Sequence, residues 1–106
     1  MIIMVVEIFD QELKDFINSL DRDTSSKTLR TIDLLGRFEN QLRMPYSKAL
    51  GKGLYELRIR GQKEIRIFYT FHHGEAVLLH GFVKKQQKTP QKELKIAFEK
   101  LNKLIK

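Results

Sequence analysis

The stretch from Gly53 to Lys88, GLYELRIRGQKEIRIFYTFHHGEAVLLHGFVKKQQK, limits the possible folds of this chain more than any other. It reads as three short strands rich in Ile, Val, Phe, Tyr and Leu, side chains that pack well on a pleated surface. Gly61-Gln62 separates the first two strands and His73-Gly74 the last two, both hairpin-type signals. Side chains alternate between faces along a strand. Tyr55, Leu57 and Ile59 therefore share one face with Ile65, Ile67, Tyr69 and Phe71, and without a bulge Val77, Leu79, Gly81 and Val83 join them. The opposite face gathers Arg58, Arg66, His80, Phe82 and Lys84. A solvated sheet face ordinarily carries charge. Here Arg58, Arg60, Arg66, Lys84 and Lys85 outnumber Glu56 and Glu64. An unpaired cationic face repels itself and favours an anionic partner.

The charge of the whole chain has the same bias. Residues 1–43 carry six Lys and Arg against eight Asp and Glu, whereas residues 44–106 carry fourteen against five. The net +7 thus belongs to the meander and the basic segment after it, and nucleic acid, an acidic protein or an anionic membrane surface would each answer it. With 106 residues and no internal repeat, one domain spanning 1–106 is expected. The absence of cysteine excludes disulfides, a thiol nucleophile and a cysteine-ligated zinc site, and suits a cytoplasmic protein. No apolar run approaches the roughly 20 residues that span a bilayer. MIIMVV is short, lacks a basic leader region and runs into Glu7 and Asp10, so it reads as a strand rather than a signal peptide.

That first strand is expected over Ile2–Ile8, buried on both faces. Asp10 then caps a helix whose Leu13, Phe16, Ile17 and Leu20 form one apolar stripe. A second helix starts near Asp23 to Ser26, with Ile32, Leu35, Phe38 and Leu42 on its apolar side and Leu29 and Leu34 widening it. Gly36 lies inside that helix at a cost of about 1 kcal/mol relative to Ala. The two helices form a hairpin over the apolar face of the meander. Met44 to Lys52 reads as a connector carrying Tyr46, Lys48 and Lys52. Thr89 as N-cap and Pro90 as first helical residue start a last helix, whose Leu94, Ala97, Phe98, Leu101, Leu104 and Ile105 close the core. The expected class is α+β.

Most enzyme chemistries find no residues to perform them. His72, His73 and His80 have no metal-binding helix spacing, and GKGLYE is neither a P-loop nor a dinucleotide fingerprint. No serine has a nucleophile-elbow setting, and carboxylates are sparse in the basic half. Cleavage of RNA needs less, because the substrate brings its own nucleophile, the 2′-hydroxyl. Arginines grip phosphate bidentately, and an ammonium crowded by other cations gives up its proton more easily. Phe68 or Phe82 is placed to stack a base.

These residues resemble the RelE/ParE toxin superfamily, in particular its phage-derived HigB-like branch. The likeness is carried by GLYELR (53–58), IRIFY (65–69), LLHGFVKK (78–85) and KTPQKELKIA (88–97), and the order of elements fits along essentially the whole chain. It implies a RelE-like fold and the toxin of a type II toxin–antitoxin pair, cutting mRNA in the ribosomal A site without metal or cofactor. It implies Arg58, Arg66 and Lys84 as catalytic residues: Arg66 on the transition-state charge, Arg58 positioning phosphate and Lys84 transferring protons. Lys48, Lys52, Arg60, His80, Phe82 and Lys85 would hold RNA. The implied partners are a HigA-like helix-turn-helix antitoxin, the ribosome and mRNA, with no membrane. Many nucleases of the family use a C-terminal tyrosine or histidine, and this chain has neither beyond Lys84. A ParE-like inhibitor of DNA gyrase, or a non-catalytic RNA- or protein-binding module, would keep the same fold. Arg66 and Lys84 are expected to be exposed, so that truncating them costs little stability.

Overall fold

The computed structural model describes residues 3–106. The chain runs β1 (Val6–Ile8), α1 (Gln11–Asn18), α2 (Arg22–Phe38), a 3-10 turn (Glu39–Gln41), β2 (Ser47–Gly51), β3 (Leu54–Ile59), β4 (Ile65–His72), β5 (Glu75–Val83) and α3 (Gln91–Ile105). The five strands make one sheet in the order β1-β5-β4-β3-β2. Only β1 is parallel to its neighbour, β5; the other pairs are antiparallel. The class is mixed α+β, as expected.

The meander has the predicted strands and the predicted second turn, with two differences. The β4–β5 hairpin closes on His73 and Gly74, both at positive φ (51° and 78°), as a tight turn matched to strand twist requires. The β3–β4 connection is longer than Gly61-Gln62, because Ile59 pairs with Ile65 and five residues lie between. On β5, Phe68 pairs with His80 but Tyr69 pairs with Leu78, so Leu79 is an extra residue at a bulge. The bulge reverses the faces beyond it. Gly81 keeps the predicted face, against α1, while Val77 and Leu79 turn to the other face and Leu78 takes their place.

Each face then has its own core. Leu57, Ile59, Ile65, Ile67, Tyr69 and Leu78 pack against Leu13, Ile17 and Leu35 of the helical hairpin. Phe68, Val77, Leu79 and Phe82 pack against Ala97 and Leu101 of α3. Gly81 is needed for the first core: a Cβ there would lie 2.9 Å from the Phe16 ring. Gly36 has a comparable reason, since a Cβ would stand 3.1 Å from the Met4 carbonyl, and the Met4 N–H donates to the Gly36 carbonyl at 2.9 Å.

That contact also shortens β1. The expected strand Ile2–Ile8 is reduced to Val6–Ile8, because the chain before it turns to α2; Ile2 lies outside the described residues. Ile3 and Val5 are exposed, not buried on both sides. Asp10 caps α1 as predicted, accepting from the Leu13 N–H at 3.0 Å. The second helix starts earlier than Asp23, with Asp21 accepting from the Thr24 N–H at 3.2 Å. It ends at Phe38, where Glu39 takes a positive φ of 54°, so Leu42 packs from beyond the helix, and Phe38 and Leu29 are exposed.

The connector 44–52 contains a strand, β2, that its composition does not announce. Pairing with β3 imposes it, and the Ser47 hydroxyl hydrogen-bonds the buried Tyr69 hydroxyl. At α3, Pro90 stands before the helix with ψ 137°, and the Thr89 hydroxyl caps nothing because it is turned to Glu56. The helix is docked by more than its apolar stripe. Lys100 on α3 reaches Asp10 at 3.0 Å and Glu12 at 2.8 Å. Burial pulls the Lys100 ammonium down, but the hydrogen bonds to Glu12 and Asp10 outweigh it and hold the group above its ordinary value. Burial likewise pushes Asp10 up, and the Lys100 and Leu13 hydrogen bonds with nearby positive charge bring it below its ordinary value.

Candidate functional site

The face of the sheet that carries α3 is only partly covered. Toward the β3–β4 loop the register sets Arg58 directly opposite Arg66, and Arg66 opposite Phe82. Like charges in that relation destabilise a sheet unless something answers them. Glu56, two residues along β3, does so. Its Oε1 accepts from Arg58 Nε at 2.9 Å and lies 3.7 Å from Arg66 Nε. Its Oε2 accepts from the Thr89 hydroxyl at 3.3 Å. Arg66 is further held by donating from one terminal nitrogen to the Ile65 carbonyl and from the other to Glu64 Oε1, both at 3.3 Å.

This corrects the expectation of a free cationic face. Glu56 is 2 % exposed and Arg66 3 %, so both arginines are ion-paired within the chain and Arg66 is built into it. Truncation of Arg66 is therefore not the mild change expected of a surface residue. One donor remains unmet. Arg66 Nε is buried without a hydrogen-bond partner, a state that costs about 1–3 kcal/mol.

The free charge lies just beyond. The Lys84 N–H donates to the Glu64 carbonyl at 2.7 Å and fixes the end of β5 beside the β3–β4 loop. There Arg60, Arg66, Lys84 and Lys85 line an open cleft of about 590 Å³ with Glu64 and two glutamines. Arg66 and Lys84 are thus brought together, as expected, while Arg58 joins them through Glu56 and does not line the cleft. Lys48 stands opposite Glu56 on the exposed edge strand. Lys52 lies in the β2–β3 turn, at the other end of β3 from the cleft.

His80 and Phe82 are placed differently from the expectation that they touch RNA. Phe82 is 6 % exposed and Phe68 is fully buried, both beneath α3, so neither ring has a free face for a base. His80 stacks beside them and pairs with Glu93 of α3 at 2.7 Å, so it fastens the helix to the sheet. Glu56, Thr89 and Glu93 are the residues that sequence reasoning missed. Glu56 carried a usable signal, because alternation alone sets it on the face of Arg58 and Arg66. Thr89 and Glu93 carried none, since their partners are set by how α3 lands on the sheet. Among the described residues no three His, Cys, Asp or Glu side chains group as metal ligands, and no helix is long and apolar enough to cross a membrane.

A five-stranded sheet with a helical hairpin on one face and a C-terminal helix on the other has the RelE-like α+β architecture. The family described as Phage derived protein Gp49-like (DUF891) matches residues 15–102, and the chain belongs to that family, one of RelE-like toxins. The match spans the cleft, the arginine pair and Glu56. A search of the curated proteins finds no match.

Proposed function

We propose that residues 1–106 form the single toxin domain of a type II toxin–antitoxin pair of the HigB-like branch, a ribosome-dependent, metal-independent mRNA endonuclease of the cytoplasm. Its partner is a HigA-like helix-turn-helix antitoxin. The observation that carries this reading is the cleft in which Arg60, Arg66, Lys84 and Lys85 meet, with Glu64 the one carboxylate lining it among the described residues. A ribose-phosphate is the anion such a cleft suits. The 2′-oxygen attacks the adjacent phosphorus, the bond to the 5′-oxygen breaks, and a 2′,3′-cyclic phosphate and a 5′-hydroxyl result. Lys84 transfers the protons, and the terminal nitrogens of Arg66 meet the charge that grows on the phosphate. Arg58 acts through Glu56 by holding Arg66 in register. Arg60 and Lys85 hold the backbone, with Lys48 further along the same face.

Primer extension on mRNA from cells expressing the wild-type chain or Lys84→Gln tests these roles. The wild type yields new 5′ ends within codons and Lys84→Gln yields none. Identical ends from both would remove Lys84 from the reaction.

A second reading gains from one observation. Arg58 and Arg66 are committed to Glu56, which suits a RelE-like fold that cuts nothing and acts as a ParE-like gyrase inhibitor. Intact mRNA together with relaxed or broken DNA in the same cells would select it.

A further inference from the structure

A second cleft, of about 290 Å³, lies on the other side of Arg60, between α2 and the end of β3. Lys27 and Arg30 of α2 and Arg60 line it together with Arg58, whose side chain is turned to Glu56, and among the described residues no carboxylate lines it. Lys27 is paired with Asp23 at 3.3 Å, and its ammonium lies where a Cβ on Gly61 would meet it, at 3.0 Å, so the side chain crosses the β3–β4 loop. Arg30 and Arg60 have no carboxylate within ion-pair distance among the described residues. Tyr46 forms the rim. Its carbonyl accepts from the Arg58 N–H at 2.8 Å, which fixes the residue to β3, yet it is 44 % exposed. Phe68 and Phe82 are covered, so Tyr46 is the aromatic group beside the cationic surface that has room to meet a base.

We propose that this second cleft holds a nucleotide flanking the cut, with Arg30 and Arg60 on its phosphate and Tyr46 against its base. Arg60 lines both clefts, so one strand of RNA passes from the Lys84 cleft to this one without leaving positive surface. A single-stranded nucleic acid answers the combination of unpaired guanidinium groups and an open aromatic ring, since phosphate takes the first and any base stacks on the second. An acidic protein segment would use the arginines and leave the ring without a role. The inference rests on the reading of the chain as an RNA-binding toxin.

Fluorescence anisotropy of a labelled single-stranded RNA, titrated with the intact chain at several salt concentrations, tests it. The variants are Arg30→Gln, Tyr46→Leu and, in the first cleft, Lys84→Gln; all change residues that are not fully buried, and melting curves check that each still folds. Arg30→Gln is expected to weaken binding several-fold and to reduce the salt slope by about 0.7, the share of one phosphate contact on a single strand. Tyr46→Leu is expected to weaken binding about tenfold with the salt slope unchanged. Loss of affinity in Lys84→Gln with wild-type affinity in the other two overturns the second cleft and leaves the endonuclease reading standing. Failure of the wild type to bind RNA at all would overturn the second cleft as an RNA site, while the endonuclease reading is overturned separately by intact mRNA in the presence of ribosomes.

Discussion

Glu56 holds an arrangement that would otherwise be under repulsion. Two guanidinium groups face each other across β3 and β4, and this one buried carboxylate lies between them. Removing one partner of a buried ion pair typically costs about 3–5 kcal/mol, because it leaves charge uncompensated. Glu56→Gln is therefore expected to lower the unfolding free energy by about 3 kcal/mol in a urea titration. A loss within about 0.5 kcal/mol, the range of an ordinary surface change, would show that Glu56 does not carry this role. Gly81 is decisive for a steric reason. Gly81→Ala is expected to cost about 1–3 kcal/mol, since the new methyl group enters the Phe16 ring unless α1 shifts. An unchanged urea midpoint would mean that α1 is seated less tightly on β5 than the Phe16 contact implies.

At the scale of elements, α3 depends on ionic contacts for its position as well as on Ala97 and Leu101. Asp10 sits below its ordinary pKa of 3.8 when folded, so its pairing contributes stability above that value, which is lost as pH falls through the lower folded value. Lys100 sits above its ordinary 10.5, so its contribution is full below that value and is lost as pH rises through the higher folded one. Thermal unfolding followed from about pH 6 to about pH 2 should show a steeper loss for the wild type than for Lys100→Met. Parallel curves would contradict the clamp.

Elements are also where the sequence was most and least legible. Alternation placed Leu57, Ile59, Ile65 and Ile67 on one face correctly, because a strand's period of two leaves little freedom. It failed at Val77 and Leu79, since a bulge is set by pairing with β4 and leaves no mark in composition. It missed β2, because SKALG becomes a strand through Leu57, Glu56 and Tyr55 across from it rather than by its own preference. Arg66 was expected to be exposed because a charged side chain on an outer face ordinarily is; the contacts with Phe82, Glu56 and Glu64 that hold it in are tertiary.

Taken as a whole, the molecule carries its excess positive charge in residues 44–106, and Arg60, Arg66, Lys84 and Lys85 gather part of it where β3 and β5 end and β4 begins. Binding to RNA through that region should weaken steeply with salt, and Lys84→Gln and Lys85→Gln together should reduce the salt slope by about 1.4, two contacts' worth on a single strand. An unchanged slope would place the RNA elsewhere. The proposed cutting of mRNA on the ribosome by the Lys84 cleft is tested by a purified translation reaction, run with and without ribosomes, with wild-type protein and Lys84→Gln, and completed by mapping of RNA ends. The expected result is cleavage ending in a 2′,3′-cyclic phosphate, with wild-type protein and ribosomes together and in no other arm. Intact mRNA in every arm, from protein that melts as a folded chain, would contradict it.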